Sequence, residues 1–455
     1  MEKALFLAKK LIPKRVFSFF QPAYHYSLAL LGAMIYRLPA RHIKVVFVTG
    51  TKGKSSTVEI LNTILEKAGY KTAVAGTVRF KVREKSWPNL YKMTIPGRFF
   101  LQKFLRESVT AKCDYAIIEM TSEGAKQFRH KFIPFDALIF TNLAPEHIES
   151  HGSYEKYLLA KLSLCRALEN SNKKNRVVVA NTDDKEGFKF LETKVETAIP
   201  YSLKNAEPYK ATSNGLEMTI DGEVFRSLLK GIFNIYNILG AVSYAKSQGI
   251  KSEDIKEALE NLSLIRGRAE IVRLPEKNLG FDVVVDYAHT PDSLRAIYEA
   301  FKDKKIIGVL GNTGGGRDKW KRPEMGKIAD IYCEKIILTN EDPYNEDPEV
   351  IVKEIAEGIK NHKPEIIMDR REAIGRALRL AEDLVPRLTP RNPSTSSGQE
   401  SSGLARDSYE NDKNVVVLIT GKGTDPYIME SNGKKTPWDD ASVVRQELEK
   451  LSQNK

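Results

Sequence analysis

At 455 residues the chain is too long for one hydrophobic core and calls for two or three domains. Its charged (29%) and apolar (42%) fractions are those of an ordinary soluble protein, and Cys113, Cys165 and Cys333 stand far apart, which excludes a disulfide framework or zinc ribbon and fits a reducing cytoplasm. A net charge of +12 admits nucleic acid, a membrane surface or an anionic substrate; with no interleaved basic and aromatic motif, no nucleic acid is expected, and a small polyanion is the economical partner.

In chain order, segment 1–44 carries Glu2 as its sole acid against Lys3, Lys9, Lys10, Lys14, Arg15, Arg37, Arg41 and Lys44. Its apolar run 24–36 is too short, and too polar at its start, to span a bilayer, and no small-residue cleavage site follows. Helices packed on the first domain are expected, with peripheral contact to an anionic inner membrane face as the alternative. Next, Val45-Val46-Phe47-Val48 reads as a buried strand that runs through Thr49 into Gly50-Thr51-Lys52-Gly53-Lys54-Ser55-Ser56-Thr57. Val58, Leu61, Leu65 and Ala68 then share one helix face, with Gly69 placed to end it. Strand, glycine turn and helix N-terminus make a phosphate cradle: backbone N–H groups face the anion, Lys54 adds charge and Ser55 can hold Mg²⁺. The spacing from Gly50 to Gly53 is shorter than in the usual P-loop.

Strand and helix patterns then alternate. Residues 115–119, 137–142, 281–286, 305–311, 335–339 and 415–420 read as buried parallel strands ending in polar residues, and Asp221-Gly222 marks a hairpin between the halves. The expected fold is α/β: a P-loop ATPase domain with a mainly parallel sheet, then a Rossmann-like C-terminal domain. The expected divisions are 1–44 (basic helical segment), 45–272 (central) and 273–455 (C-terminal). Residues 390–414, rich in Ser, Pro, Gly and Asn, are expected to be a disordered insertion. In open α/β sheets ligands gather beyond the carboxyl ends of strands, which is where Glu119, His147, Gly311-Asn312-Thr313-Gly314-Gly315-Gly316-Arg317-Asp318 and Gly421-Lys422-Gly423 fall. Lys161 lies in a helical stretch, where its ordinary reading is a solvated lysine.

Taken in order, Thr49-Gly50-Thr51-Lys52-Gly53-Lys54-Ser55, Glu119-Met120-Thr121-Ser122, Thr141-Asn142-Leu143 with His147, Ala160-Lys161, Asn234 and Asn237, Gly267-Arg268-Ala269-Glu270, Asp286-Tyr287-Ala288-His289-Thr290-Pro291, Arg317-Asp318-Lys319 and Gly421-Lys422-Gly423 resemble the Mur ligase family. Within it they look most like the branch that adds the third residue of the peptidoglycan stem peptide. The resemblance runs from about Ile43 to the C-terminus, interrupted by the Ser-rich insertion.

The resemblance implies a cytoplasmic, monomeric, ATP-dependent ligase of cell-wall synthesis. ATP would phosphorylate the terminal carboxylate of a UDP-MurNAc-peptide, and an amino acid's amine would displace phosphate from the acyl phosphate. By the same resemblance Gly50, Thr51, Lys52, Gly53, Lys54, Ser55 and Ser56 hold the phosphates. Two Mg²⁺ ions would be served by Ser55, Glu119, His147 and a carbamylated Lys161, carbamylation turning a cation into an oxygen ligand. Asn234 and Asn237 would touch the adenine side. Arg268 and Asp286 would reach the phosphates, with His289 and Lys319 lining the nucleotide. Thr94, Thr121, Ser122, Gln127 and Arg129 would hold the carboxylate substrate, and Arg317, Asp342, Tyr344, Gly421 and Asp425 the amino acid.

Departures accompany the resemblance. Family members carry an N-terminal UDP-gripping domain of which only the basic segment has a counterpart here. Lys52 replaces the preferred Asn, and Glu123 a usual His. Where ligases for diaminopimelate show Asp-Asn-Pro-Arg, this chain has Glu341-Asp342-Pro343-Tyr344, losing the bidentate partner of the distal carboxylate. Asp425 falls where an acid meets a side-chain amine, so a diamine such as lysine or ornithine is expected. The alternatives are a folylpolyglutamate-synthase-like ligase, the cell-wall amidation partner of the Mur-like group (lacking here its cysteine cluster), and a non-catalytic nucleotide-binding scaffold at the membrane.

Overall fold

A computed structural model describes residues 14–144, 152–274, 279–316, 318–385 and 414–453, with side chains from residue 20 onward. His147, Arg317 and nearly all of the 390–414 insertion lie outside these residues. The chain forms two compact units, 1–207 with 219–223 and 234–259, and 208–218 with 224–233 and 260–455.

The first unit is built on a sheet of β1 (Lys44–Thr49), β2 (Thr72–Ala75), β3 (Arg79–Val82), β4 (Lys85–Pro88), β5 (Tyr115–Glu119), β6 (Ala137–Phe140), β7 (Val177–Asn181) and β8 (Thr197–Tyr201). Their order is β4-β3-β2-β5-β1-β6-β7-β8; pairing is parallel from β2 to β8, while β3 and β4 pair antiparallel at one edge. Val45, Val46, Phe47 and Val48 of β1 are fully buried, as the unbroken β-branched run requires of a strand covered on both faces. Because β1 lies between β5 and β6, chain leaving its carboxyl end enters a switch point, flanked by Glu119 on one side and Thr141 on the other. The helix Lys54–Lys67 follows, and Gly69, at φ +85°, ends it as the sequence indicated. Ahead of the sheet, helix Lys14–Ile35 packs on helix Arg98–Thr110.

Strands β9 (Tyr209–Thr212), β10 (Gly215–Ile220) and β11 (Glu223–Ser227) form a small sheet. Asp221 and Gly222, at φ +53° and +80°, make the positive-φ turn its Asp-Gly pair announces.

The second unit carries β12 (Glu270–Ile271), β13 (Asp282–Val285), β14 (Lys305–Leu310), β15 (Cys333–Leu338), β16 (Glu365–Ile366) and β17 (Val415–Ile419) in the order β12-β13-β17-β14-β15-β16. All pair in parallel except β12, which joins β13 antiparallel. One apolar cluster covers each face, one around Leu294, Tyr298, Met325 and Ile355, the other around Ile374, Leu378, Val444 and Leu448. A final hairpin pairs β18 (Tyr427–Met429) with β19 (Lys435–Pro437).

Candidate active site

In the first unit the loop after β1 is clamped from below. Thr51 N–H donates to the Asn142 carbonyl (2.8 Å), Lys52 N–H to Asn142 Oδ1 (2.9 Å), and Thr141 Oγ1 to the Lys52 carbonyl (2.6 Å). A Cβ on Gly50 would lie 1.9 Å from Thr141 Oγ1, and one on Gly53 (φ +81°) would lie 2.2 Å from Asn237 Oδ1. Both glycines are therefore required by close approach. Gly53 caps the helix without a side-chain bond, so the helix start, the positive end of its dipole, carries no capping side chain.

Two lysines converge on this loop. Lys54 Nζ donates to the carbonyls of Gly50 (3.0 Å) and Thr51 (2.7 Å). Lys161 Nζ, on helix Tyr154–Glu169, donates to the same Gly50 carbonyl at 2.7 Å and stands 4.9 Å from the Tyr157 ring centre. Lys161 is 1% exposed, so it is no solvated lysine. Ser55 and Ser56 are buried in the first helical turn. Asn234 and Asn237 bond to each other (2.8 Å) beneath Gly53, where Asn237 supports the loop.

Beside the loop, Glu119 is 1% exposed, its Oε1 accepting from Thr77 N–H and its Oε2 from Thr77 Oγ1, both at 2.9 Å. Thr77 Oγ1 also bonds Thr94 Oγ1 (3.0 Å), so the candidate metal ligand and a candidate substrate contact share one hydroxyl. Thr121 caps the short helix Ser122–Lys126 through Gly124 N–H (3.0 Å), and Gln127 joins Glu123 (2.7 Å) and Arg129 (2.8 Å). Among the described residues no three His, Cys, Asp or Glu side chains cluster as a metal cage. Ser55 and Glu119 are the oxygen donors here that a metal could take as ligands, and Lys161 would contribute an oxygen only if its amine were carbamylated.

The second unit gathers another set. Asp286 accepts from Ala269 N–H and Ala288 N–H, both at 2.7 Å; desolvation raises its carboxyl, which Arg268 and those N–H bonds oppose. The Arg268 guanidinium stacks 4.7 Å from the Tyr287 ring centre, and His289 Nδ1 meets the Tyr287 carbonyl at 2.8 Å. Lys319 pairs with Glu346 (3.3 Å), which also holds Gly316 N–H and buried Arg322.

The glycine-rich loop after β14 lies directly on the Glu341–Tyr344 segment: a Cβ on Gly314 would come within 2.3 Å of the Pro343 carbonyl, and one on Gly315 within 3.0 Å of the Tyr344 ring. Lys422, fully buried, donates to Asp342 Oδ1 (2.9 Å), Asp425 Oδ2 (3.2 Å) and the Tyr427 carbonyl (2.6 Å). Burial would lower this ammonium, but Asp425 and Asp342 outweigh it and hold its pKa above the ordinary lysine value. Asp425, expected to meet a substrate amine, is thus engaged by the protein's own lysine. Glu341 is wholly buried; burial and then Asp342 raise its carboxyl, against Arg370, Lys422 and the Thr313 hydroxyl.

Three residues that the sequence did not single out touch the candidate residues: Thr77 bonds Glu119, Arg98 bonds the Gln127 carbonyl and, in the second unit, Lys422 bonds Asp342 and Asp425. Lys422 stood inside a noted glycine motif, whereas nothing local marks Thr77 or Arg98.

Two family models match the chain: the Mur ligase middle domain over residues 48–245, and the Mur ligase, glutamate ligase domain over residues 267–385. The UDP-N-acetylmuramoyl-L-alanyl-D-glutamate–2,6-diaminopimelate ligase of Clostridium botulinum is 33% identical over 437 residues, 93% of this chain and 82% of that one. A solved structure of a ligase of the same name aligns with TM-score 0.58 at 26% identity, covering 90% of this chain and 79% of the other. Folylpolyglutamate synthase of Mycobacterium tuberculosis aligns with TM-score 0.65 over 88% of this chain, at 15% identity, a likeness of fold.

Proposed function

From the premise that the chain belongs to the Mur ligase family, is most like its MurE-type members and is an ATP-dependent ligase of peptidoglycan precursor synthesis, we propose that it joins 2,6-diaminopimelate to UDP-MurNAc-dipeptide. The carboxylate oxygen would attack the γ-phosphoryl group and ADP would leave. The amine would then attack the acyl phosphate, losing a proton as phosphate departs. Two anions must meet, so the work is positioning and charge neutralisation. The observation that carries the reading is the convergence of Lys54 and Lys161 on the Gly50 carbonyl at an uncapped helix start.

In this reading the N–H groups of residues 54–56 seat the phosphates, and Lys54 exchanges its carbonyl partners for a phosphate oxygen. Ser55, Glu119, His147 and a carbamylated Lys161 would hold Mg²⁺, which would supply charge neutralisation when bound. Arg268, Asp286, His289 and Lys319 belong to the nucleotide. Lys161→Ala should lose nearly all turnover and regain part of it with added short carboxylates; full activity in the variant would remove the ligand role.

Diaminopimelate is favoured by the relatives' names, and the pairing of Asp425 with Lys422 withdraws an argument for lysine. Tyr344 in place of an arginine favours lysine as the second reading. Phosphate release from ATP with UDP-MurNAc-dipeptide and lysine, ornithine, diaminopimelate or glutamate decides between them; no turnover with any of the four would reject the ligase assignment to this acceptor.

A peripheral membrane partner fits the N-terminal helix. Phe20, Tyr24, Leu31, Met34 and Ile35 form one outward stripe, 45–61% exposed, while small Ala29, Gly32 and Ala33 face the protein. No acid occurs between Glu2 and Glu59, and Arg37, Arg41 and Lys44 are exposed, so the matching occupant is an anionic lipid surface. Among the described residues no helix is long and apolar enough to cross a membrane.

A further inference from the structure

Arg129, one of the acceptor-carboxylate residues, has a neighbour that the family motif does not supply. Arg98 opens helix Arg98–Thr110, whose N-cap Gly97 makes no side-chain bond. Arg98 Nε donates to the Gln127 carbonyl at 2.9 Å, and Arg129 Nη2 donates to Oε1 of the same glutamine at 2.8 Å. Two guanidinium groups thus meet around one residue. Arg129 Nη1 also donates to the Ile95 carbonyl, and Arg98 Nη2 bonds His25 Nδ1 of the N-terminal helix.

The charge there is not balanced. Arg129 is 8% exposed, yet its Nε has no hydrogen-bond partner among the described residues. Burial holds both guanidinium groups below the usual arginine range, and Arg98 pushes Arg129 further down. Glu123 is the acid that acts on Arg129, and its Oε1 is already taken by Gln127 Nε2 at 2.7 Å. Two partly desolvated like charges beside an uncapped helix N-terminus are suited to a carboxylate.

We propose that Arg98 and Arg129 together seat the non-reacting carboxylate of the acceptor, with Arg98 the specificity-determining member and His25 its positioning residue. This rests on the function proposed above. An acceptor ending in glutamate has two carboxylates. One must stand at the ATP phosphates, and the other then requires a cationic partner of its own, which a forked pair provides bidentately.

The test compares the normal acceptor with one whose non-reacting carboxylate is a carboxamide, measuring phosphate release. The unaltered protein should show KM for the carboxamide raised roughly tenfold or more, the loss of a charge-assisted pair. Arg98→Ala should raise KM for the normal acceptor by a similar factor and lose most of the discrimination, with KM for ATP and kcat little changed. Arg98→Lys should restore part of the discrimination, and His25→Ala should weaken it in the same direction. Full discrimination retained in Arg98→Ala overturns the seat. Should that variant unfold, Arg98→Lys with undiminished discrimination overturns it equally. No acceptor-dependent turnover by the unaltered protein is a different failure, that of the function reading and the seat with it.

Discussion

Replacing Lys422 by methionine keeps the aliphatic stem and removes the ammonium that joins three acceptors. The loss falls unevenly. Asp342 is 4% exposed at its side chain and would lose its lysine partner while keeping the Met429 N–H (2.7 Å), whereas Asp425 is 17% exposed and can recruit water. Breaking a buried pair from one side costs about 3–5 kcal/mol, because the remaining charge is stranded. In a unit of this size that lowers the unfolding temperature by the order of 10 °C. The consequence reaches the amino-acid side, since Asp342 Oδ1 anchors Met429 and Met429 in turn accepts from Tyr344 N–H at 3.0 Å.

Urea unfolding followed by fluorescence, together with KM for the amino acid, measures both effects. Acidification should shrink the deficit, because protonating the stranded carboxyl removes the buried charge. Adding Asp342→Asn to Lys422→Met should recover part of the stability, as the amide oxygen still accepts from Met429 N–H. The two substitutions should therefore be non-additive by about 1 kcal/mol or more. A loss below about 1 kcal/mol in Lys422→Met, or strict additivity, would refute the view that this lysine organises the segment.

Gly53→Ala should weaken ADP binding tenfold or more by calorimetry, because the added carbon meets Asn237 Oδ1 at a positive φ; an unchanged Kd would reject the clamped loop. His130, 3% exposed, is pushed by burial down to about 3 from 6.5. The unfolded chain therefore binds its proton first: stability is whole above about pH 6.5 and falls towards pH 3 by up to about 1.4 kcal/mol per unit, and His130→Leu should remove that slope in urea midpoints. Co-sedimentation should show binding to phosphatidylglycerol vesicles at low salt, little to phosphatidylcholine, and loss in a Phe20→Ser, Leu31→Ser, Met34→Ser variant. Equal binding to both vesicles, or a dimer in solution dissolved by the same variant, would turn the stripe to another use.

What could be read from the chain divides along the range of the interactions. The β1 run, the glycine turn and the helix after it follow one another in sequence, and each constrains its neighbour: a buried strand must end in a loop, Gly53 permits the positive φ, and the apolar spacing fixes the helix face. Four of the five parallel strands of the second unit were likewise visible as short apolar runs, to within a residue or two, because a strand covered on both faces has no room for alternation; the two-residue β16 was not. The Asp221-Gly222 turn was legible for the same local reason.

Long-range pairing was not legible. Nothing near Lys161 distinguishes it from a surface lysine, and its burial comes from a carbonyl 111 positions away. Arg98 looks like an ordinary helix-start residue until His25 and Gln127, 73 and 29 positions distant, close around it. Asp425, an acid after a glycine motif, reads as a ligand for an incoming amine; its pairing with Lys422, three residues back, was not read. Buried cations in each unit are held by the protein's own oxygens: in the first, Lys54 and Lys161 rest on Gly50, and Arg98 and Arg129 on Gln127; in the second, Lys422 rests on Asp342 and Asp425. The acids and carbonyls around such cations are therefore poor guides to the substrate when read alone; an unmatched donor, which Arg129 shares with Arg322 and Arg370, is a guide where a second cation stands beside it, as Arg98 does beside Arg129.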